Sequence, residues 1–151
     1  MRIKEIVAQK DVTSIYSVAP DATVFEAITE MADRNVGAML VMQDGKLAGI
    51  LTERDYLREI AVKGRSSRET PVSEIMTRRV IYVAPESTVD EALTIITEQR
   101  IRHLPVLRDH TVVGVISIGD LVKAKVARQE VHIKTLEAYI ADEYPGPQRN
   151  T

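Results

Sequence analysis

The sequence predicts an α/β (α+β) protein of two tandem β-α-β-β-α units packed as an intertwined pair and followed by a C-terminal helical tail. Three observations predict it: an internal repeat at one fixed offset, the same alternation of strand and helix patterns in each copy, and the length. At 151 residues, against about 150 residues per domain, the chain has no room for a second large catalytic domain. The offset is 65 residues, and Ile15 to Leu57 laid on Val80 to Val122 gives 12 identities in 43 positions without a gap. A unit of about 60 residues would bury only about 60% of its unfolded surface and be marginal alone, so the two copies are expected to share one core.

The elements follow in order. Arg2 to Val7 reads as a short lead-in helix, and Thr13 to Ser17 enters the first strand. Thr23 with Glu26 has the spacing of a capping box, and Val24, Ala27, Ile28 and Met31 then recur on one face, which predicts an amphipathic helix. Met39 to Met42 and Leu47 to Leu51 flank Asp44-Gly45, the dipeptide suited to a two-residue turn with positive φ, and predict a hairpin. Thr52 ends that hairpin, and a second helix begins by Asp55. The polar, Gly- and Ser-containing stretch 63–71 separates a first unit (1–62) from a second (72–124).

In the second copy Val72 to Met76 is the lead-in helix, and Thr88 with Glu91 opens the helix carrying Val89, Ala92, Leu93 and Ile96. The second hairpin turns at Asp109-His110, a weaker turn signal than Asp-Gly, and ends at Ser117 before the helix that holds Asp120. The tail, 125–151, keeps a helical pattern through Ile133, Leu136 and Ile140 until Pro145-Gly146-Pro147. It is read as core cover, dimer packing or a partner-facing helix.

Composition bounds the function. Twenty Lys and Arg against 22 Asp and Glu leave a formal net charge of −2. That is no basis for holding a polyanion or an anionic membrane. There are no cysteines, hence no disulfide, no thiolate nucleophile and no Cys-containing zinc site, which fits a reducing cytosol. The N-terminus lacks the apolar run of a signal peptide and no stretch is long enough to span a bilayer, so a cytoplasmic protein is expected. No phosphate-loop glycine-lysine motif, His-Glu-x-x-His or Gly-x-Ser-x-Gly is present, and His103, His110 and His132 are not spaced as a helical metal pair.

Four stretches carry a resemblance: Gly49-Ile50-Leu51-Thr52-Glu53-Arg54-Asp55, Val72 to Thr77, Ile101-Arg102-His103-Leu104-Pro105-Val106 and Gly114-Val115-Ile116-Ser117-Ile118-Gly119-Asp120. Together, in register with the repeat, they resemble a tandem cystathionine-β-synthase (CBS) domain pair, or Bateman module. The resemblance covers about Arg2 to Ala124. It implies a non-catalytic regulatory fold that dimerises and binds an adenine nucleotide (AMP, ADP, ATP, NAD or S-adenosylmethionine), with no obligatory cofactor and no metal.

Chemistry allows the same reading of the twin motifs. A carboxylate at Asp55 or Asp120 can accept both hydroxyls of a ribose in charge-assisted bonds, and Thr52 or Ser117 adds a hydroxyl at a helix start that favours an anion. The same Thr-x-x-Asp and Ser-x-x-Asp spacings also read as plain N-caps. By resemblance Arg102 and His103 contact phosphate in the pocket of Thr52 and Asp55. Their counterparts Gly37 and Ala38 carry no charge, so the pocket of Ser117 and Asp120 is expected to have fewer cationic partners. By the same resemblance the segments entering the first strands, Thr13 to Ser17 with Ile15 and Tyr16 and Arg78 to Tyr82 with Val80 and Tyr82, line the adenine pockets. Tyr16 is placed either to stack or to pack, and Arg54 either to meet phosphate or to form a salt bridge. The expected function is a homodimeric nucleotide sensor acting on an effector protein in trans. The alternative is a ligand-independent dimerisation or interaction scaffold with degenerate pockets.

Overall fold

The computed structural model describes residues 1–10 and 15–128. The predicted tail helix from 129 onward, with its Pro-Gly-Pro end, and the Thr13 and Ser14 positions lie outside the described residues. The chain runs α1 (Ile3–Gln9), β1 (Ser17–Val18), α2 (Val24–Arg34), β2 (Ala38–Gln43), β3 (Lys46–Thr52) and α3 (Glu53–Tyr56), which continues in a π-helical turn over Leu57–Ala61. After a 3-10 turn at Val72–Glu74 come α4 (Val89–Gln99), β4 (His103–Arg108), β5 (Thr111–Ser117) and α5 (Ile118–Arg128). The second lead-in is thus a single 3-10 turn, shorter than α1.

Both predicted capping boxes form: the Thr23 and Thr88 hydroxyls each accept a backbone N–H three residues on, at 3.1 Å. Both helices end on a left-handed residue, Asn35 (φ 55°) and Arg100 (φ 54°). Strands β2 and β3 form an antiparallel hairpin through Asp44 (φ 52°) and Gly45 (φ 76°). Strands β4 and β5 repeat it through Asp109 (φ 49°) and His110 (φ 67°).

The repeat breaks at its first strand. In the first unit β1 pairs parallel with β2, and the Leu40 N–H donates to the Tyr16 carbonyl at 3.1 Å. The position equivalent to Leu40 is Pro105, which has no N–H to give. The predicted first strand of the second unit is accordingly reduced to one bridge, Val83 to Val106.

The expected single core is two cores that exchange their lead-ins. Val24, Ala27, Met31, Met39, Val41, Leu51 and Ile60 of the first unit pack with Val72, Ile75 and Met76, the lead-in of the second. Val83, Val89, Ala92, Ile96, Leu104, Val106, Ile116 and Leu121 pack with Ile3 and Ile6 of α1. The backbone repeats the exchange: Val72 N–H donates to Ala22 (2.8 Å) and Ser73 N–H to Pro20 (2.9 Å), while Ile3 N–H donates to Ser87 (2.9 Å) and Lys4 N–H to Pro85 (2.9 Å). A fully buried aliphatic side chain stabilises by about 1.5–3 kcal/mol, so Ile3, Val72 and Ile75 tie each unit to the lead-in that precedes the other. Neither unit closes its core without it, which makes the pair intertwined.

Candidate functional site

The two Thr/Ser-x-x-Asp motifs come to lie where hairpin ends meet. Thr52 faces Ala38 across the first hairpin, and Ser117 faces His103 across the second. Each helix start is tied to the opening of its own hairpin: the Glu53 N–H donates to the Gly37 carbonyl (3.1 Å) and the Ile118 N–H to the Arg102 carbonyl (2.9 Å).

Asp55 and Asp120 both close capping boxes, as the bland reading of the spacing required. The Thr52 N–H donates to Asp55 Oδ2 at 3.0 Å and the Ser117 N–H to Asp120 Oδ2 at 2.8 Å. In return the Thr52 and Ser117 hydroxyls accept the Asp55 and Asp120 N–H at 3.2 and 3.1 Å. Capping leaves each carboxylate further acceptor capacity, and the two differ in what uses it. The Thr77 hydroxyl lies 3.1 Å from Asp55 Oδ1 and 3.3 Å from Oδ2. At Asp120 the donor is an ammonium, Lys10 Nζ at 2.8 Å, which also donates to the Val115 carbonyl at 2.9 Å. Half-burial would raise the Asp120 carboxyl, but the bonds from Lys10 and Ser117 outweigh it and hold it below the usual carboxylate range.

A cleft of ≈ 250 Å³ opens beside Ser117, lined by Lys10, Tyr16, Gly37, Ala38 and His103 with Asn35, Val36, Met39, Leu40, Ile50 and Val115. It therefore draws walls from both repeats. Tyr16 packs on the first core and lines the cleft, while the Arg34 guanidinium lies 4.4 Å from its ring centroid. A Cβ on Gly37 would stand 3.0 Å from Glu53 Oε1 and 3.3 Å from His103 Cε1, so a side chain there would intrude between those two groups. Burial pushes the His103 imidazole below its ordinary value; Glu53 and Asp120 oppose this, and Lys10 and Arg102 add to it.

The structure brings Ser117, Gly37, Ala38 and Tyr16 together, and the sequence reading had paired Gly37 and Ala38 with Ser117. His103, expected with Arg102 in the pocket of Thr52 and Asp55, lines this cleft, because it is the first residue of β4, directly opposite Ser117. Arg54 turns to the other repeat, donating to the Arg100 carbonyl at 2.9 Å; among the described residues it forms no salt bridge, and it does not line this cleft. Arg102 and Tyr82 are exposed, and Ile15 and Val80 are half-buried away from its walls. Lys10 gives Asp120 a cationic partner that the sequence reading did not name. No motif announces that lysine; only the exchange of lead-ins brings it to a residue 110 positions away.

The description of the CBS domain as a family matches residues 3–62 and again 72–127. The chain belongs to the CBS domain family. Its α/β architecture is that of a CBS pair. It is similar to the CBS domain-containing protein CBSX3, mitochondrial, of Arabidopsis thaliana, with 46% identity over 129 residues, 82% of this chain and 63% of that protein. The chain thus spans less than two thirds of that relative's length. The structure of a CBS-domain protein from Burkholderia ambifaria MC40-6 matches with a TM-score of 0.82 at 44% identity, covering 88% of this chain and 99% of that one. The CBS domain pair of protein MJ0100, solved in complex with 5-methylthioadenosine and S-adenosyl-L-methionine, shares the fold with a TM-score of 0.72 at 23% identity, over 85% of this chain and 98% of that one. The adenosyl ligands are those of the MJ0100 pair. Among the described residues no helix is long and apolar enough to cross a membrane, and no group of His, Asp and Glu is arranged to hold a metal ion.

Proposed function

We propose that this protein is a non-catalytic regulatory module that binds an adenine nucleotide between its two CBS repeats and signals to a partner protein in trans. The observation that carries the reading is the cleft at Ser117, with walls from both repeats and the Asp120 carboxylate at the helix start beside it. A ribose supplies two hydroxyls to such a carboxylate in charge-assisted bonds, and a deoxyribose supplies one fewer. Thr52, Arg54 and Asp55 with Arg102 form the second, unequal half of the arrangement. The adenosyl ligands of the MJ0100 pair support the ligand class. AMP, ADP, ATP, NAD and S-adenosylmethionine all fall within it.

The mechanism is a population shift. A ligand touching both repeats favours the relative orientation in which both sets of contacts are made, and only by its difference in affinity between orientations. The exchanged lead-ins would carry such a reorientation from one unit into the core of the other. Exposed Ile118 and Val122 on α5 supply an apolar face for a homodimer.

A ligand-independent scaffold is favoured by one fact, that both carboxylates already hold donors from the chain itself, Thr77 and Lys10. Calorimetry with the five ligands, for the intact protein and for Asp55→Ala and Asp120→Ala, separates the two. The sensor reading expects ribose-dependent binding that each substitution removes from one cleft while the dimer persists. Dimerisation with neither heat nor thermal shift from any ligand would leave the scaffold.

A further inference from the structure

The cleft beside Ser117 holds a cation that the twin motif does not supply. Lys10 directly follows α1, and α1 is anchored in the second core by Ile3 and Ile6, so the fold fixes where this lysine starts. Its Nζ reaches Asp120 Oδ2 at 2.8 Å and the Val115 carbonyl at 2.9 Å, with both charged side chains about a quarter to a third exposed (30% and 26%). Lys10, Val115 and Ser117 line the cleft, so the lysine and two of the groups bonded to it or to its carboxylate partner stand at its wall.

We propose that Lys10 sets the charge of the ligand in this cleft, which accepts an adenosine ligand bearing an anionic group and discriminates against neutral nucleosides and cationic sulfonium ligands. The proposal rests on the adenine-nucleotide reading above. Asp120 Oδ2 already takes the Ser117 N–H and the ammonium, so a ribose hydroxyl that comes to this carboxylate arrives with Lys10 alongside. Each bond the ribose makes to Asp120 competes with the ammonium for it. A half-buried ammonium whose partner is shared in this way is stabilised by a second anion within reach. A phosphate supplies that anion, a bare 5′-hydroxyl does not, and a sulfonium adds a second positive charge beside the first. His103, on the opposite wall, does not duplicate the role, because burial favours its neutral form. Among the described residues lining the cleft Lys10 is then the one fixed cation.

The test is calorimetry at low ionic strength with adenosine, AMP and S-adenosylmethionine, in an Asp55→Ala background that silences the other motif, comparing Lys10 with Lys10→Met and Lys10→Arg. A charge-assisted contact corresponds to roughly tenfold or more in affinity. AMP is expected to bind at least about tenfold tighter than adenosine or S-adenosylmethionine when Lys10 is present. Lys10→Met should bring AMP down to the level of adenosine, leave adenosine within about threefold, and Lys10→Arg should restore the preference. AMP affinity unchanged in Lys10→Met, or equal affinity for all three ligands with Lys10 present, overturns the role of Lys10 and leaves nucleotide binding standing. Silence from all three ligands in this background overturns the proposal, and silence from them and from ADP, ATP and NAD with Asp55 intact overturns the nucleotide reading as well.

Discussion

A Cβ built on Gly49 would stand 2.8 Å from the carbonyl oxygen of Thr77, with Met76 Sδ equally close. The contact is tight because Ile50 and Thr77 exchange backbone hydrogen bonds of 3.0 and 2.9 Å, stitching the lead-in of the second unit onto β3 of the first. Thr77 is also the residue whose hydroxyl meets Asp55. A missing side chain at position 49 therefore holds together both the exchanged core and one of the two candidate carboxylates.

Gly49→Ala is accordingly expected to destabilise by about 2–3 kcal/mol, since a backbone oxygen cannot turn aside as a side chain does. Gly114 is the control. Its Cβ would meet Val7 Cγ1 at 3.0 Å, a side chain that can shift, so Gly114→Ala should cost about 1 kcal/mol or less. Urea unfolding of both variants checks the contrast, and equal stability of Gly49→Ala and the parent protein would refute the stitched geometry.

The second hairpin carries a correctable strain. Asp109 and His110 both have positive φ, as do Asp44 and Gly45, but His110 keeps a Cβ where Gly45 has none. A non-glycine residue in the left-handed region loses roughly 1 kcal/mol or more, partly offset by glycine's larger unfolded-state entropy. His110 is exposed at the turn tip, so His110→Gly should stabilise by about 0.5–1 kcal/mol and raise the Tm by a few degrees. A fall in Tm would mean the turn is not of this type.

Those turns, the capping boxes at Thr23 and Thr88 and the helices they open were legible in the sequence because each depends on residues two to four positions apart. The twin motifs were legible for the same reason, and their placement at helix starts follows from the caps. The reduced first strand of the second unit was written there as well, in Pro105, but reading it required knowing that the equivalent Leu40 donates to Tyr16. Lys10 was out of reach. A lone lysine after a short helix reads as solvated surface, and what brings it to Asp120 is the exchange of lead-ins, a decision taken by two whole cores.

His103 makes the last expectation, on pH. Burial lowers the pKa of its imidazole in the folded protein below the ordinary 6.5, so between that lowered value and 6.5 the unfolded chain binds more protons than the folded one. Stability then rises with pH through this window. The contribution of neutral His103 is fully present above about 6.5 and is lost as the pH falls toward the folded value. Glutamine keeps an amide near the same place and does not titrate, so His103→Gln should lose stability less steeply than the parent protein between about pH 7.5 and pH 5. Urea midpoints across that range give the difference between the two curves, in which other titrating groups largely cancel. The proton signal of the His103 ring gives the folded pKa directly. Parallel stability curves, or a ring that titrates at or above 6.5, would mean that burial does not outweigh Glu53 and Asp120 at this imidazole.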